Sequence, residues 1–265
     1  MINMQPWKEY SSTFCSLVRQ DMFLFSRNIH NVLIDRFIFV TAQITIANWI
    51  LPYFGLTANF GPFMIGSLIA TSCLFEITPF IAHFISDLSG DRKINYEMIL
   101  PIPTWLVFIK IMVSFALRAL VIGTAVIPVA KILLREQFVL SSVSWPSLVL
   151  MLIMTSILTA AFGLLVTSFT RGMHVLSSIW ARCIFPLWIF GGFQFSWAAL
   201  NNALPWLSYV SLFNPIFYTT EGFRAAILPE GNFIAVKICV PVLICFSLVC
   251  AVVAIMRFKR RLDFV

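Results

Sequence analysis

The sequence predicts an all-α integral membrane protein, with six transmembrane helices, an N-terminal amphipathic interfacial helix and a broken re-entrant segment between helices 5 and 6. Three observations predict it. Of 265 residues, 60% are hydrophobic and only 11% are charged, whereas a soluble domain carries about a quarter charged residues. A water-facing surface with so few charges would expose apolar patches large enough to aggregate. Long charge-free runs recur, at residues 37–75 and 137–170, and about 20 mostly apolar residues suffice to cross a bilayer as a helix. The 27 Phe and 8 Trp suit lipid-facing segments with aromatic belts at the interfaces.

Taken in order, residues 1–34 mix Trp7, Phe14, Leu17, Val18, Phe23 and Leu24 with Lys8, Glu9, Arg19, Asp21 and Arg27. The near-helical apolar spacing predicts an amphipathic helix lying in the interface; a soluble helix packed on the spans is the alternative. The run 37–75 is long enough for two spans, and Pro52, Gly55, Asn59, Gly61 and Pro62 break it in the middle. That places spans at 35–54 and 62–85, followed by a charged loop at 86–104. The third span, 105–129, is interrupted by Lys110 and Arg118; the fourth covers 147–169; the fifth, 174–195, contains Arg182; the sixth covers 234–256. Residues 196–233 are semi-apolar but broken by Pro205, Pro215 and Pro229. They are too interrupted for a clean span and read as a re-entrant or interfacial helical pair. The whole of 1–265 forms one transmembrane domain.

Charge sets the expected orientation. The side holding both termini carries Lys8, Arg19, Arg27, Arg92, Lys93, Arg171, Arg257, Lys259, Arg260 and Arg261, ten against four for Lys131, Arg135, Arg224 and Lys237 on the other. Excess Lys and Arg marks the cytoplasmic side, so both termini are expected there. The same rule accounts for the net charge of +7. Nucleic acid is not expected as a partner, because no basic stripe with interleaved aromatics lies outside the apolar runs. The first apolar run begins near residue 37, too late for a cleavable signal peptide. The six cysteines form no CxxC pair and sit mostly in apolar runs, so neither zinc nor a disulfide framework is expected.

Glu76, Lys110, Arg118 and Arg182 fall at membrane depth, where a charge faces a cavity or a partner. Lys110 lies near its span's start and is expected to snorkel. Arg118 is expected to pair with Glu76, as a structural pair or as part of a pathway. Arg182, eight residues past His174 and about 12 Å deep by helical rise, is a candidate for meeting an anionic headgroup or phosphate. Glu221 and Arg224 share a helical face at i and i+3, either anchoring the re-entrant segment or lining an exit gate. No GxSxG, HExxH, GxxxxGK[ST] or GxGxxG occurs, so any ATP hydrolysis is expected on another chain.

Two stretches carry a family resemblance. Ser86-Asp-Leu-Ser-Gly-Asp-Arg-Lys-Ile-Asn-Tyr-Glu-Met-Ile-Leu-Pro-Ile-Pro-Thr104 is similar to a charged loop leading into a Pro-x-Pro turn. Leu204-Pro-Trp-Leu-Ser-Tyr-Val-Ser-Leu-Phe-Asn-Pro-Ile-Phe-Tyr-Thr-Thr-Glu-Gly-Phe-Arg224 is similar to an LP…NPxxY…R signature before a final span, and Phe190-Gly-Gly-Phe-Gln-Phe to the glycine-containing end of a fifth span. In this order they resemble the ABC-2 membrane family, the permeases of bacterial type V ABC exporters, over nearly the whole chain. The resemblance implies an inner-membrane homodimer with two separate ATPase subunits docked beneath it, ATP and Mg being held on those subunits and no cofactor on this chain. It implies that the 86–104 loop is the coupling element, with Arg92, Lys93, Tyr96, Glu97, Pro101 and Pro103 as its contacts, although this loop is poorer in Arg and Glu than is usual. It implies a substrate pathway along helices one, two and five, near Glu76, Arg118, Arg182 and Phe193, and an extracytoplasmic gate at Asn214, Pro215, Glu221 and Arg224. The expected cargo is amphipathic or lipid-linked: a lipid, a glycan or a hydrophobic drug. Trp188, Trp197, Phe193 and Phe195 keep the glycan open, although an interface belt explains them equally. An ion-coupled secondary transporter or a membrane-embedded lipid-modifying enzyme is the alternative. The first needs buried acidic groups, for which only Glu76 is a candidate; the second needs clustered His, Asp or Glu.

Overall fold

The structure, a computed structural model, describes residues 5–55, 60–89, 96–97, 99–100, 102–170 and 172–262, and the side chains of all these except 5–9, 88–89 and 260–262. The described residues are helical with no strand, as a bilayer requires of a chain that must satisfy its own backbone polar groups.

Helix α1 (Gln5–Thr45) continues through a π-helical turn, Ile46–Ile50, and a 3-10 turn, Leu51–Phe54. Pro52 has no N–H to extend the regular ladder, and Gly55, at φ 86°, closes the helix by donating back to the carbonyls of Leu51 and Pro52. The amphipathic stretch and the first span are therefore halves of one helix, with no break between residues 34 and 35. Its 41 α-helical residues extend about 60 Å, twice the hydrocarbon thickness of about 30 Å. The change at residue 35 is one of composition alone.

Helices α2 (Phe60–Phe75) and α3 (Ile77–Ser89) form the second span, offset by a turn at Glu76. Helix α4 (Thr104–Leu134) starts after Pro103 and ends at Arg135, which sits at φ 45°. The Lys131 ammonium closes that end by donating to the carbonyls of Arg135 at 2.7 Å and Phe138 at 2.8 Å. Helix α5 is Trp145–Phe169. Helix α6 (Met173–Ile189) is shorter than the predicted span and irregular. A π-helical turn, Trp180–Ile184, sits inside it, just before Pro186, whose missing N–H would have bonded the Arg182 carbonyl.

The segment 196–233 holds three helices where a pair was expected: α7 (Trp197–Ala203), α8 (Pro205–Ser211) and α9 (Pro215–Ile227). Ser196 caps α7 through the Ala199 N–H, and Asn214 caps α9 through the Ile216 N–H. Helix α10 (Val236–Leu262) completes the described chain.

Helix α2 is the central element, packed on α4 and α9. Helix α5 runs along α10 and α4, α1 lies against α4, and α9 is enclosed by α2, α5 and α10. The successive spans alternate in direction, which brings both ends of the described chain to one end of the bundle.

Candidate functional site

Three groups of buried charge and one groove carry the chemistry. The first lies at the terminal end of the bundle. Lys110, only 2% exposed, places its ammonium 2.7 Å from Asp21 of α1 and 2.7 Å from Glu97 of the α3–α4 loop. Ser114 donates to the same Asp21 oxygen at 3.0 Å. Lys110 therefore does not snorkel: two carboxylates from other segments hold it inside, and the pairing removes the reason to reach water. Within the loop three of the coupling candidates are described, and two of them separate. Glu97 is 2% exposed and turned into the bundle, whereas the Tyr96 side chain is 67% exposed. Pro103 sits at the N-cap position of α4. Arg92, Lys93 and Pro101 lie outside the described residues.

The second group lies at the turn between α2 and α3. Glu76 accepts from Arg36 of α1 at 2.9 Å. The expected partner, Arg118, instead lies over the rings of Phe115 at 4.5 Å and Phe25 at 5.3 Å, a cation–π arrangement that a partly desolvated guanidinium favours. The correction has a simple cause. Arg36 lies at the very start of the predicted first span and was not counted among the charges at membrane depth, but the unbroken α1 carries it to Glu76.

The third group is Glu221 and Arg224 on α9, both fully buried and 3.1 Å apart. Arg224 donates to the Phe195 carbonyl at 2.8 Å, to Ser67 of α2 at 2.6 Å and to the Phe193 and Gly192 carbonyls, and it lies 3.7 Å from the Phe63 ring centroid. Glu221 accepts the N–H groups of Trp197 and Ile234 at 3.2 and 3.1 Å. The pair thus staples α2, the 190–196 turn, the start of α7 and the approach to α10. Of the two expected readings, the geometry is that of the anchor. Arg224 also drops out of the interfacial charge comparison, which leaves the asymmetry between the two ends larger. Asn214 is buried and donates to the Leu187 carbonyl at 2.8 Å, and Pro215 is buried in the first turn of α9.

Arg182 stands apart from these clusters. It lines a groove of about 540 Å³ together with Phe162, Leu187, Phe190, Leu207 and Phe213. The residue is exposed. Phe193 is not in the groove; it is 3% exposed and packs on Trp188 at 4.9 Å. Trp188 in turn donates to Thr71 at 3.0 Å. Two of the four aromatics that suggested an interface belt or a glycan tunnel are therefore internal packing.

Residues 13–228 match the family described as ABC-2 type transporter. The chain belongs to the ABC-2 transporter family. It is also similar to the inner membrane transport permease YadH of Escherichia coli strain K12 and of Shigella flexneri, at 25% identity over 166 residues in each case. Those alignments cover 63% of this chain and 62% of the relative, so the chain spans less than two thirds of the curated relatives it matches. The family match reaches from near the start of the long N-terminal helix to the end of α9, and so includes all three charge groups.

For this ABC-2 chain, sequence reading missed Arg36, Asp21 and Ser67. Asp21 carried a detectable signal: in a helix, an apolar face that includes an aspartate calls for a buried cation. Arg36 and Ser67 carried none, because their roles depend on contacts between segments far apart in sequence.

Proposed function

We propose that this chain is the transmembrane permease subunit of an ATP-driven exporter in the bacterial inner membrane, with both termini in the cytoplasm. It works as a homodimer on two separate ATPase subunits, which hold ATP and Mg. The observation that carries the reading is the family match across residues 13–228, and the form of the α3–α4 loop supports it. Tyr96 faces outward at the terminal end of the bundle, while the neighbouring Glu97 is bound to the helices. A docking element needs both properties, an exposed contact and a stiff attachment.

The cargo is an amphipathic, anionic or lipid-linked molecule moved out of the cytoplasm or the inner leaflet. The groove beside Arg182 supports this class, since apolar walls suit a hydrophobic body and a single guanidinium suits an anionic group. The ion-coupled alternative loses support, because Glu76, the carboxylate it would use, is ion-paired with Arg36.

The test is reconstitution. The purified chain alone is expected to hydrolyse no ATP, and a complex with its partner ATPase is expected to hydrolyse ATP and to respond to anionic amphiphiles. Strong hydrolysis by the isolated chain overturns the reading. Tyr96→Ala is expected to leave membrane insertion intact while separating ATP hydrolysis from transport; normal transport by that variant removes the loop from the coupling role.

A further inference from the structure

The first two charge groups are parts of one structure. Helices α1 and α4 run side by side in the same direction. Asp21 meets Lys110 and Ser114, Phe25 meets Arg118, and Arg36 and Val40 share an apolar groove with Ala125, Val126 and Val129. From the loop inward the contacts are therefore Glu97–Lys110–Asp21, then Arg118 over Phe25, then Arg36–Glu76, and each of the three reaches α1.

We infer that these residues form a ladder that ties the position of the α3–α4 loop to the seating of α1 along α4, up to the α2–α3 turn. Its two ends are ion pairs and its middle rung is Arg118 stacked on Phe25, so neither end can move away without leaving a buried charge uncompensated, which is strongly unfavourable. Four segments contribute: the loop, α1, α4 and the α2–α3 turn. Helix α1 supplies two rungs, Asp21 and Arg36, about 22 Å apart by helical rise. A displacement at Glu97 thus bears on Lys110 and Asp21, and the unbroken α1 carries it to Arg36 and Glu76. The residues act by positioning helices and touch no cargo. The inference rests on the proposed reading only where it takes the loop as the ATPase-docking element.

The test uses the full chain in lipid nanodiscs, with Cys15, Cys183 and Cys245 replaced by Ser. Spin labels are attached at Phe37→Cys on α1 and Ile132→Cys on α4, both exposed positions remote from the loop. Glu97→Gln is expected to shift and broaden the 37–132 distance distribution, as is Arg118→Met, while Glu97→Asp leaves it unchanged. Asp21→Asn, which cuts the ladder one rung further in, provides the same readout if Glu97→Gln fails to fold. An unchanged 37–132 distribution in folded Glu97→Gln and Asp21→Asn, with only a label at Tyr96→Cys gaining mobility, overturns the ladder and leaves a local tether. A second arm adds the partner ATPase and ATP to the labelled wild-type ladder. A shift on ATP addition that Glu97→Gln abolishes supports both the ladder and the docking reading. A distribution that responds to Glu97→Gln but not to the ATPase supports the ladder and overturns docking at this loop.

Discussion

At the scale of single residues, the fully buried Arg224 shows how a charge becomes a structural fastener. Its donors reach three carbonyls, a serine and Glu221, so the cost of removing it from water is offset by bonds that a single side chain distributes over α2, the 190–196 turn and α9. Arg224→Met leaves Glu221 buried without its cation, and removing one partner of such a pair costs about 3–5 kcal/mol. A marked loss of thermal stability in detergent is the expected outcome, and the Glu221→Gln/Arg224→Met double variant should recover part of it. A glycine nearby makes the same point sterically. A Cβ at Gly66 would come within 2.9 Å of the Arg224 backbone nitrogen, so Gly66→Val is expected to push α2 from α9 and lower expression of folded protein, read by size-exclusion chromatography. Sequence spacing placed Glu221 and Arg224 on one face. It could not supply Ser67 or the turn at Gly192, because these approach only when α2 and the 190–196 turn are folded against α9.

At the scale of helices, the most consequential feature is the continuity of α1. Composition divides it at residue 35, since charges give way to apolar residues there. The backbone does not divide, because nothing between 34 and 35 breaks a helix: glycine and proline are absent from residue 7 to residue 51. Hydrogen–deuterium exchange is expected to show unbroken protection through residues 28–45, and a fast-exchanging hinge at 33–36 would contradict the structure. In α6 and at the end of α1, by contrast, π-helical turns stand immediately before Pro186 and close to Pro52. Proline thus has local consequences that sequence does signal, even though the resulting turn type is not predictable from it. The end of α4 offers a third case. Lys131 was assigned to the outer surface as an interfacial charge, and the structure adds that it caps two carbonyls. Lys131→Met should destabilise the fold by about 1.5–3 kcal/mol, the range for hydrogen bonds to charged groups, measurable as a lowered unfolding temperature.

At the scale of the whole molecule, the described residues hold five helical segments long and apolar enough to cross a membrane, α2 and α3 together counting as one, and α6 adds a shorter apolar one. Their alternation puts the exposed Cys15 of α1 and the exposed Val139, in the connection between α4 and α5, at opposite ends of the bundle. The proposed cytoplasmic placement of both termini predicts that Val139→Cys reacts with a membrane-impermeant thiol reagent on intact spheroplasts, and Cys15 only after permeabilisation; the reverse pattern would invert the topology. Phe190 and Phe213, just past the ends of α6 and α8, are exposed and line the Arg182 groove.

Sequence by itself determined that this chain lives in a membrane, roughly where it crosses, which end carries the positive charge and which family it resembles. Those properties are sums over many residues, and apolar runs, prolines and loop charges express them without reference to any contact. Tertiary structure alone decided which charge pairs with which. Lys110 was expected to reach the interface and Arg118 to meet Glu76, yet Lys110 is held by Asp21 and Glu97, and Glu76 by Arg36. The physical reason is that a charge inside an apolar bundle takes the nearest opposite charge that folding delivers, and that neighbour is set by how α1 lies along α4, not by distance along the chain.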